Sequence, residues 1–225
     1  MALKRPRKRI RRDTAEAQLE LRSAATNAAL SIYLQQGLDG LTMRAVASRV
    51  GVTPMALYRY FTNKTELLRA LGEVALGEQL AEVRAAIAPL ASARERIRVS
   101  ALTQLAYWER HPEHYRLVFL EGWRPESPLS NPRLVGASAY RQGLDLATEL
   151  FNDYADEIGG DRSRAPLARD LRLTLLMGYL QARLVYSTYP WHDNDRLREE
   201  VVATVVSATA ACLLRSDAAA ARAAA

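Results

Sequence analysis

Cysteine is almost absent from this sequence, because Cys212 is the single one in 225 residues. One cysteine excludes an intramolecular disulfide and any zinc site built from several thiolates. Long apolar segments are absent as well, since the longest stretch without a charged residue, Ser23 to Leu38, is short and rich in polar side chains. We therefore expect no membrane-spanning helix. The basic N-terminus is not followed by the apolar region of a signal peptide, so the sequence predicts a cytoplasmic protein.

Strand patterns are missing too, since no window shows sustained alternation of apolar and polar residues. Alanine, leucine, arginine and glutamate dominate, and the hydrophobic content of 49% can fill a core, so we predict an all-α protein. Nine prolines and several capping residues divide the chain into about nine helices. The predicted helices cover about residues 14–36, 42–51, 53–60, 63–88, 92–110, 111–122, 131–158, 166–189 and 193–215.

Particular residues set these boundaries. Gly37 is a plausible stop for the first helix, since glycine tolerates the left-handed conformation after a helix C-terminus. Thr42 and Thr53 are predicted N-caps, the second followed by Pro54. Asn63 with Glu66, and Ser92 with Glu95, resemble capping boxes. The segment 124–132 with its three prolines is predicted as a loop, and the alanine-rich 218–225 as a frayed tail.

Acidic residues are absent from the first twelve positions, which carry seven positive charges: Lys4, Arg5, Arg7, Lys8, Arg9, Arg11 and Arg12. Without these seven the chain has 24 basic and 25 acidic residues, against 31 and 25 for the whole. The protein is therefore a near-neutral body with a cationic arm, and such an arm suits a polyanion such as DNA. A solvated, disordered terminus is the alternative interpretation.

The most informative stretch is Leu41 to Leu68, LTMRAVASRVGVTPMALYRYFTNKTELL. Ala47 is small where two short helices must cross closely, and Gly51, four residues later, suits a turn that requires positive φ. Leu57, six residues further, packs the second helix back onto the first. This spacing is the packing requirement of a helix-turn-helix, whose second helix enters the major groove of DNA.

The side chains left on the outer face can reach base edges, thymine methyl groups and phosphates. They are Thr53, Pro54, Met55, Tyr58, Arg59 and Tyr60. Lys64 places an ammonium at a helix N-terminus, where free amides favour a phosphate, and Thr42 and Arg44 hold the equivalent position on the preceding helix. A helical hairpin in an ordinary bundle is the alternative, but packing does not explain these exposed aromatic and basic side chains.

This stretch resembles the DNA-binding signature of the TetR family of bacterial transcriptional repressors. The resemblance extends back over residues 24–37 and covers about a quarter of the chain. The matching residues are Thr42, Ala45, Val46, Ala47, Gly51, Val52, Leu57, Tyr58, Phe61, Asn63, Lys64, Glu66 and Leu67.

The resemblance implies a repressor with a three-helix DNA-binding domain at residues 14–70 and a larger effector-binding and dimerisation domain at 71–216. The arm 1–13 and the tail 217–225 flank them. Eight positions match the family's DNA contacts: Thr42, Arg44, Thr53, Pro54, Met55, Tyr58, Tyr60 and Lys64. Tyr58 and Lys64 match best, as phosphate contacts. The operator sequence is not implied, because members differ from one another at residues 54–56.

Aromatic residues are scarce between Phe61 and Tyr107 and frequent afterwards. Ordinary core packing explains many of them, but amphipathic aromatics also suit a cavity for a small apolar or aromatic effector. The residues expected to line it are Trp108, Tyr115, Phe119, Tyr154, Tyr179 and Arg183. No cofactor is expected.

His111, Glu113 and His114 invite a metal or catalytic interpretation. We prefer a structural role and expect no metal, because Pro112 makes His111 an N-cap that would point away from His114. A small helical enzyme using these three residues remains an alternative function, but it has no nucleophile and leaves residues 41–68 unexplained. A DNA-binding protein without a ligand is a second alternative, and it predicts a filled C-terminal core.

Residues 166–215 are expected to form a homodimer interface, because the last two helices carry more apolar residues than one packing partner requires. One stripe is Leu197, Val201, Val205, Ala208 and Cys212; a neighbouring one is Val202, Val206, Thr209 and Leu213. Two buried helices in a monomer explain the same pattern. An isologous dimer is favoured, since helix-turn-helix proteins read two half-sites.

Overall fold

A computed structural model describes residues 15–120, 138–186 and 188–215. Within these ranges it contains nine α-helices and no strand, which confirms the all-α prediction. They are α1 (Ala15–Gly40), α2 (Met43–Arg49), α3 (Pro54–Tyr58), α4 (Lys64–Ile87), α5 (Ala93–Arg110), α6 (Pro112–Tyr115), α7 (Ser138–Ile158), α8 (Ala165–Val185) and α9 (Asn194–Leu214). A π-helical turn, Arg116–Leu120, follows α6, and a 3₁₀ turn, Arg162–Arg164, precedes α8. The predicted basic arm, the loop 124–132 and the alanine tail lie outside the described residues.

The chain divides into two compact units, Met1–Leu71 and Gly72–Ala225. In the first unit, α1 packs on α2 and α2 on α3. Its core consists of fully or nearly fully buried side chains: Ala25, Ala29, Ile32, Tyr33, Leu41, Val46, Ala47, Leu57, Phe61 and Leu67. Gly37 interrupts α1 with φ 67° and ψ −165°, which confirms the stop predicted there.

Side-chain caps begin the helices where the sequence predicts. Ser92 accepts a hydrogen bond from Glu95 N at the start of α5, and Asp193 accepts one from Arg196 N at the start of α9. The capping box at α4 is displaced by one residue. Asn63 Oδ1 accepts from Glu66 N as predicted, but the Glu66 carboxylate accepts from Thr62 N at 2.7 Å rather than from Asn63.

The second unit buries two groups of apolar side chains between α5, α7, α8 and α9 and the later turns of α4. One group is Ala75, Leu76, Ala101, Leu105, Tyr107, Trp108, Tyr115, Val118, Ala139, Leu176, Tyr179, Leu180, Val202 and Val205. The other includes Val83, Ile87, Ala93, Ile97, Leu150, Phe151, Tyr154, Ala155, Ala165, Ala168, Val206, Cys212 and Leu213. No helix among the described residues combines the length and apolar character needed to cross a membrane.

Two helix boundaries in this unit need comment: the end of α8 differs from the prediction, and the predicted start of α7 lies outside the described residues. α8 ends at Val185, before the predicted residue 189, and Tyr186 already has a non-helical ψ of 54°. Pro190 restricts only Tyr189, the residue directly before it, so the earlier end at Val185 has no explanation in the local sequence. α7 ends at Ile158, followed by Gly159 at φ 68°, as predicted, but its predicted start at 131 lies outside the described residues.

Candidate nucleic-acid interface and internal cavity

Helices α2 and α3 form a tight helical corner in the first unit. Between them Gly51 has φ 70°, a conformation that costs glycine little, and Val52 N donates to Ala47 O at 3.0 Å. Ala47 and Leu57 are fully buried, so the small residue lies at the crossing and the leucine closes it. The corner is therefore a helix-turn-helix, at the residues the spacing predicts.

Threonine hydroxyls begin both helices of the corner. Thr42 Oγ1 accepts from Ala45 N at 3.1 Å, and Thr53 Oγ1 accepts from Ala56 N at 3.2 Å. Each cap uses a lone pair of the hydroxyl oxygen and leaves its proton available as a donor. Both threonines are exposed, so this donor can reach a phosphate without loss of the cap.

The outer face of α3 carries apolar groups that none of residues 15–71 covers. Met55 is 77% exposed and Tyr58 46% exposed, on a helix of only five residues. Thr53 and Pro54 are exposed at the start of the same helix, and Arg44 is exposed on α2. Large exposed apolar groups rimmed by polar ones are typical of a binding surface, and here they lie on the helix that would enter a groove.

Tyr60 and Lys64 are half-buried at the edge of this face. Tyr60 O accepts from Arg22 Nη1 at 2.8 Å. Lys64 is the first residue of α4, and its Nζ donates to Leu38 O at 2.7 Å, directly after the interruption at Gly37. This hydrogen bond occupies one of three ammonium protons and fixes the position of the charge.

The Glu66 carboxylate stabilises the turn that precedes Lys64. It accepts from the backbone N–H and, at 2.8 Å, from the hydroxyl of Thr62. The backbone hydrogen bond, followed by that of the hydroxyl, lowers the pKa of Glu66, and the nearby Arg22 and Arg69 lower it further. The carboxylate therefore stays ionised at the N-terminus of α4, where the helix dipole favours it.

The second unit contains a partly open cavity of about 290 Å³. Its walls come from α4, α5, α7, α8 and the π-helical turn, and most of the lining is aliphatic or aromatic: Leu76, Leu80, Val83, Trp108, Phe119, Ala139, Tyr140, Leu144, Leu146, Ala147, Leu150, Leu173 and Met177. Ser100, Gln104, Gln79, Arg169 and Arg172 add polar groups. The volume lies at the lower end of the ~300–1,000 Å³ typical of small-molecule sites.

Residues 25–71, which contain the helix-turn-helix, match the family model of bacterial regulatory proteins, tetR family. The chain is also 30% identical over 166 residues to tetracycline repressor protein class A from transposon 1721 of Escherichia coli, over 66% of this chain and 76% of that protein. The chain belongs to the TetR family.

Other relatives of this TetR-family chain agree. It is 28% identical over 193 residues to the HTH-type transcriptional activator FasR of Mycolicibacterium smegmatis, over 86% of this chain and 82% of that one. Its fold resembles that of TetR from Acinetobacter baumannii AYE, with a TM-score of 0.60 at 19% identity, over 85% and 97% of the two chains. The chain is a DNA-binding transcriptional regulator.

Two of the six residues predicted to line the cavity of this TetR-family chain do line it. Trp108 and Phe119 contribute to its walls. Tyr115 is buried behind them, in ring contact with both, and its hydroxyl donates to Gln181 Oε1 at 3.3 Å.

The other three predicted residues lie apart from the cavity. Tyr154 is buried in the second apolar group of this unit. Tyr179 lines a shallow groove between α8 and α9, and its hydroxyl donates to Glu109 Oε1 at 2.5 Å. The Arg183 guanidinium lies 5.3 Å from the centroid of the Trp191 ring. These positions depend on which helices pack together, which aromatic content alone does not reveal.

Sequence reasoning missed Arg172, which lines the cavity with 9% of its surface exposed. Its Nη2 donates to Gln104 Oε1 at 2.8 Å and, more weakly, to Ser100 Oγ at 3.5 Å. Burial lowers the pKa of Arg172 to about 10, which leaves the group cationic at neutral pH. A signal was present, because Arg169 and Arg172 lie three residues apart in a largely apolar helix, and charged side chains on a buried face need an explanation that packing does not give.

The expectation that His111 points away from His114 is wrong. The two rings are stacked at 5.1 Å with 18° between their planes, since His111 is the N-cap of α6 and His114 lies three residues later in its first turn. With Glu113 their ligand atoms lie within 4.8 Å of one another. His114 Nδ1 is already 3.0 Å from the Tyr107 hydroxyl, and burial lowers the pKa of His114, so its imidazole is neutral at pH 7. The cavity lining does not include His111, Glu113 or His114.

The apolar stripes predicted to face a partner subunit mostly face the protomer's own core. Val205 and Cys212 are buried, as are all four residues of the neighbouring stripe. The outer side of α9 instead carries small or polar residues: Glu200, Ala203, Thr204, Ser207 and Ala211. Exposed residues of α8 recur at helical spacing on one face: Leu167, Asp170, Thr174, Gly178, Gln181 and Val185.

Proposed function

We propose that this TetR-family regulator is a dimeric repressor that leaves its operator when a small, largely apolar molecule binds in the cavity of the second unit. The cavity is the observation that carries the proposal. A DNA-binding protein without a ligand predicts a filled core there, whereas the second unit leaves about 290 Å³ between its helices. Repression follows the tetracycline repressor, while FasR is named an activator, so the direction of regulation is part of the test.

One helix carries residues of both functions. Lys64 is the first residue of α4, at the proposed DNA surface, and Leu76, Leu80 and Val83 of the same helix line the cavity. A ligand that displaces these three side chains therefore acts directly on α4. Induction requires only that the ligand bind one arrangement of α4 more tightly than the other.

The DNA-binding surface is proposed to sort into two roles. Tyr58 and Lys64, with the capping hydroxyls of Thr42 and Thr53, bind phosphates and position the protein. Arg44, Pro54 and Met55 lie where base edges can be read, and Tyr60 supports the edge of the surface. In a dimer, the two copies of α3 would lie about 34–36 Å apart, one turn of B-DNA.

The dimer is proposed to form through the outer faces of α8 and α9 within residues 166–215. Leu167 is 53% exposed and Val185 43% exposed at the two ends of the α8 face. Gly178 lies between them with open space at the position of a Cβ. Small side chains on both helices permit close approach of a second copy, as in an intersubunit four-helix bundle.

Thermodynamic linkage tests the function as a whole. Affinity for a genomic operator fragment is measured with and without a ligand selected by thermal shift of the full chain, and ligand affinity with and without the operator. We expect the two factors to be equal, in the range of ~5–150-fold. A ligand that binds the cavity with the same affinity whether or not the operator is present would contradict induction. A promoter fusion that loses expression on deletion of the regulator would contradict repression.

The phosphate contacts predict a loss of affinity that is independent of sequence. Tyr58→Phe is expected to weaken binding about tenfold to operator and to unrelated DNA alike. Lys64→Ala is expected to do the same and to reduce the slope of log affinity against log salt by about 1. Fluorescence anisotropy over a salt series measures both effects.

Each of these variants has a matched control. Tyr189→Phe removes a hydroxyl from a tyrosine that is 59% exposed and far along the chain, and we expect unchanged affinity. Lys64→Arg keeps the charge and should retain most of the binding. A Tyr58→Phe variant that weakened operator binding while leaving unrelated DNA unaffected would assign the tyrosine to base recognition instead.

A further inference from the structure

The cavity contains a positive charge that no carboxylate of the described residues neutralises. Arg172 is nine-tenths buried, and its hydrogen-bond partners, Gln104 and Ser100, are both neutral. No carboxylate among the described residues forms an ion pair with it, and desolvation alone accounts for its lowered pKa. An unpaired buried cation destabilises the fold, so its retention requires a reason.

Other arginines in the second unit show how this chain treats structural cations. Arg198 contacts Glu109 at 2.7 Å and Asp195 at 2.8 Å, and Arg96 contacts Asp153 at 2.9 Å. Arg169, the second arginine at the cavity, is paired with Asp170 at 2.9 Å. Each of these is more exposed than Arg172 and still has a carboxylate partner. Arg172 is the arginine that falls in the buried class among the described residues, and it has no carboxylate partner, where an acid would have the largest effect.

A second unpartnered donor lies in the same wall. Trp108 lines the cavity and is fully buried, and its indole N–H has no hydrogen-bond partner among the described residues. The indole nitrogen itself has no surface open to the cavity, so the donors that a ligand can reach are those of the Arg172 guanidinium, and they require an acceptor group on the ligand. The surrounding aliphatic side chains of α4 and α7 exclude a ligand that is polar throughout.

We infer that the ligand of this cavity is an organic monoanion with an apolar body, and that Arg172 binds its carboxylate. The inference rests on the proposed effector function and names its chemical class. The planar guanidinium matches a carboxylate with two parallel N–H···O bonds, and among the described residues only its Nη2 has protein partners. One unpaired cation suits a single negative charge; a phosphate ester would require a second, and Arg169 is already neutralised.

The test uses two carboxylates, decanoate and phenylbutanoate, each paired with the alcohol of the same skeleton. Binding to the full-length chain is measured by titration calorimetry. We expect each carboxylate to bind about 100-fold more tightly than its alcohol, the effect of a desolvated charge pair. Equal affinities of acid and alcohol, or no binding by either carboxylate, would overturn the inference.

Variants then assign the effect to one residue. Arg172→Met, which keeps the volume, should remove the preference for carboxylates and leave alcohol binding intact, while raising the melting temperature of the free protein. Arg96→Met removes an ion-paired arginine of the same unit that does not line the cavity, so it is the control and should retain the preference. Arg172→Lys keeps the charge but loses the planar pair of N–H donors, so its preference for carboxylates over alcohols should lie between those of the original protein and Arg172→Met. A preference for carboxylates that survives Arg172→Met would overturn the assignment.

Failure of the proposed induction and failure of the anion site give different results. If decanoate binds through Arg172 but leaves operator affinity unchanged, induction is wrong and the anion site stands. If operator affinity responds to an uncharged ligand and carboxylates do not bind, induction stands and the anion site is wrong.

Discussion

The double substitution Ser207→Arg and Ala211→Arg is expected to convert the dimer into monomers. Both residues are exposed on the outer side of α9, one helical turn apart, and their small side chains permit close approach of a second helix. Two arginines from each copy would place four cations in one interface without a partner. Each monomer then reads one half-site, so operator affinity should fall by about 10²–10⁴-fold as avidity is lost.

Light scattering gives the mass, and anisotropy gives the affinity for full and half operators. Affinity for a half operator should stay unchanged, which separates loss of the dimer from loss of folding. Ala81→Arg with Ala85→Arg is the matched control, since these exposed α4 residues have the same spacing. A double variant of α9 that remains a dimer with full affinity would place the interface elsewhere. A charge in the apolar stripe of α9, such as Val205→Glu, would not test the dimer interface. Val205 is fully buried in the protomer, so the substitution would unfold the protomer itself.

Arg44→Ala is expected to lower operator affinity by about 5–150-fold, equivalent to ~1–3 kcal/mol, and to relax the preference at one base pair. The guanidinium is exposed in the first turn of α2, where it can contact the N7 and O6 atoms of a guanine. Unlike Lys64→Ala, this change should have little effect on binding to unrelated DNA. A binding-site selection with the variant protein measures the relaxed position.

Arg49 provides the control on the same helix. It is also exposed but belongs to the last turn of α2, and its Nη1 contacts Ser31 Oγ at 3.5 Å. Arg49→Ala removes the same charge without removing a base contact, so operator preference should stay intact. If the two variants weaken operator and unrelated DNA to the same extent, Arg44 binds phosphate rather than a base.

The sequence predicts the helix-turn-helix well because its determinants are local. Thr42 and Thr53 cap the helices that directly follow them, and Gly51 needs only its own positive φ. Such interactions span three or four residues, so spacing along the chain is enough to identify them. The same holds for Gly37, which ends the regular part of α1.

The cavity is harder to predict from the sequence, because the residues that form it are far apart along the chain. Arg172 meets its partner Gln104 across 68 positions of sequence, and Tyr154, expected beside Trp108, belongs to a different group of packed side chains. Val205 shows the same difficulty, since an apolar stripe on α9 fits the protomer core and a partner subunit equally well. Side-chain type predicts burial here, but the packing of distant helices decides what each residue faces.

The single thiol makes this chain suitable for distance spectroscopy without prior removal of cysteines. Cys212 is 7% exposed in the apolar core, where a thiol reacts slowly with alkylating spin labels. Met55→Cys would introduce one accessible thiol per protomer, on the helix proposed to enter the groove. In a dimer the two labels form a single pair, so one dipolar measurement reports the separation of the recognition helices directly. Addition of a ligand during that measurement would follow induction as a change in one length.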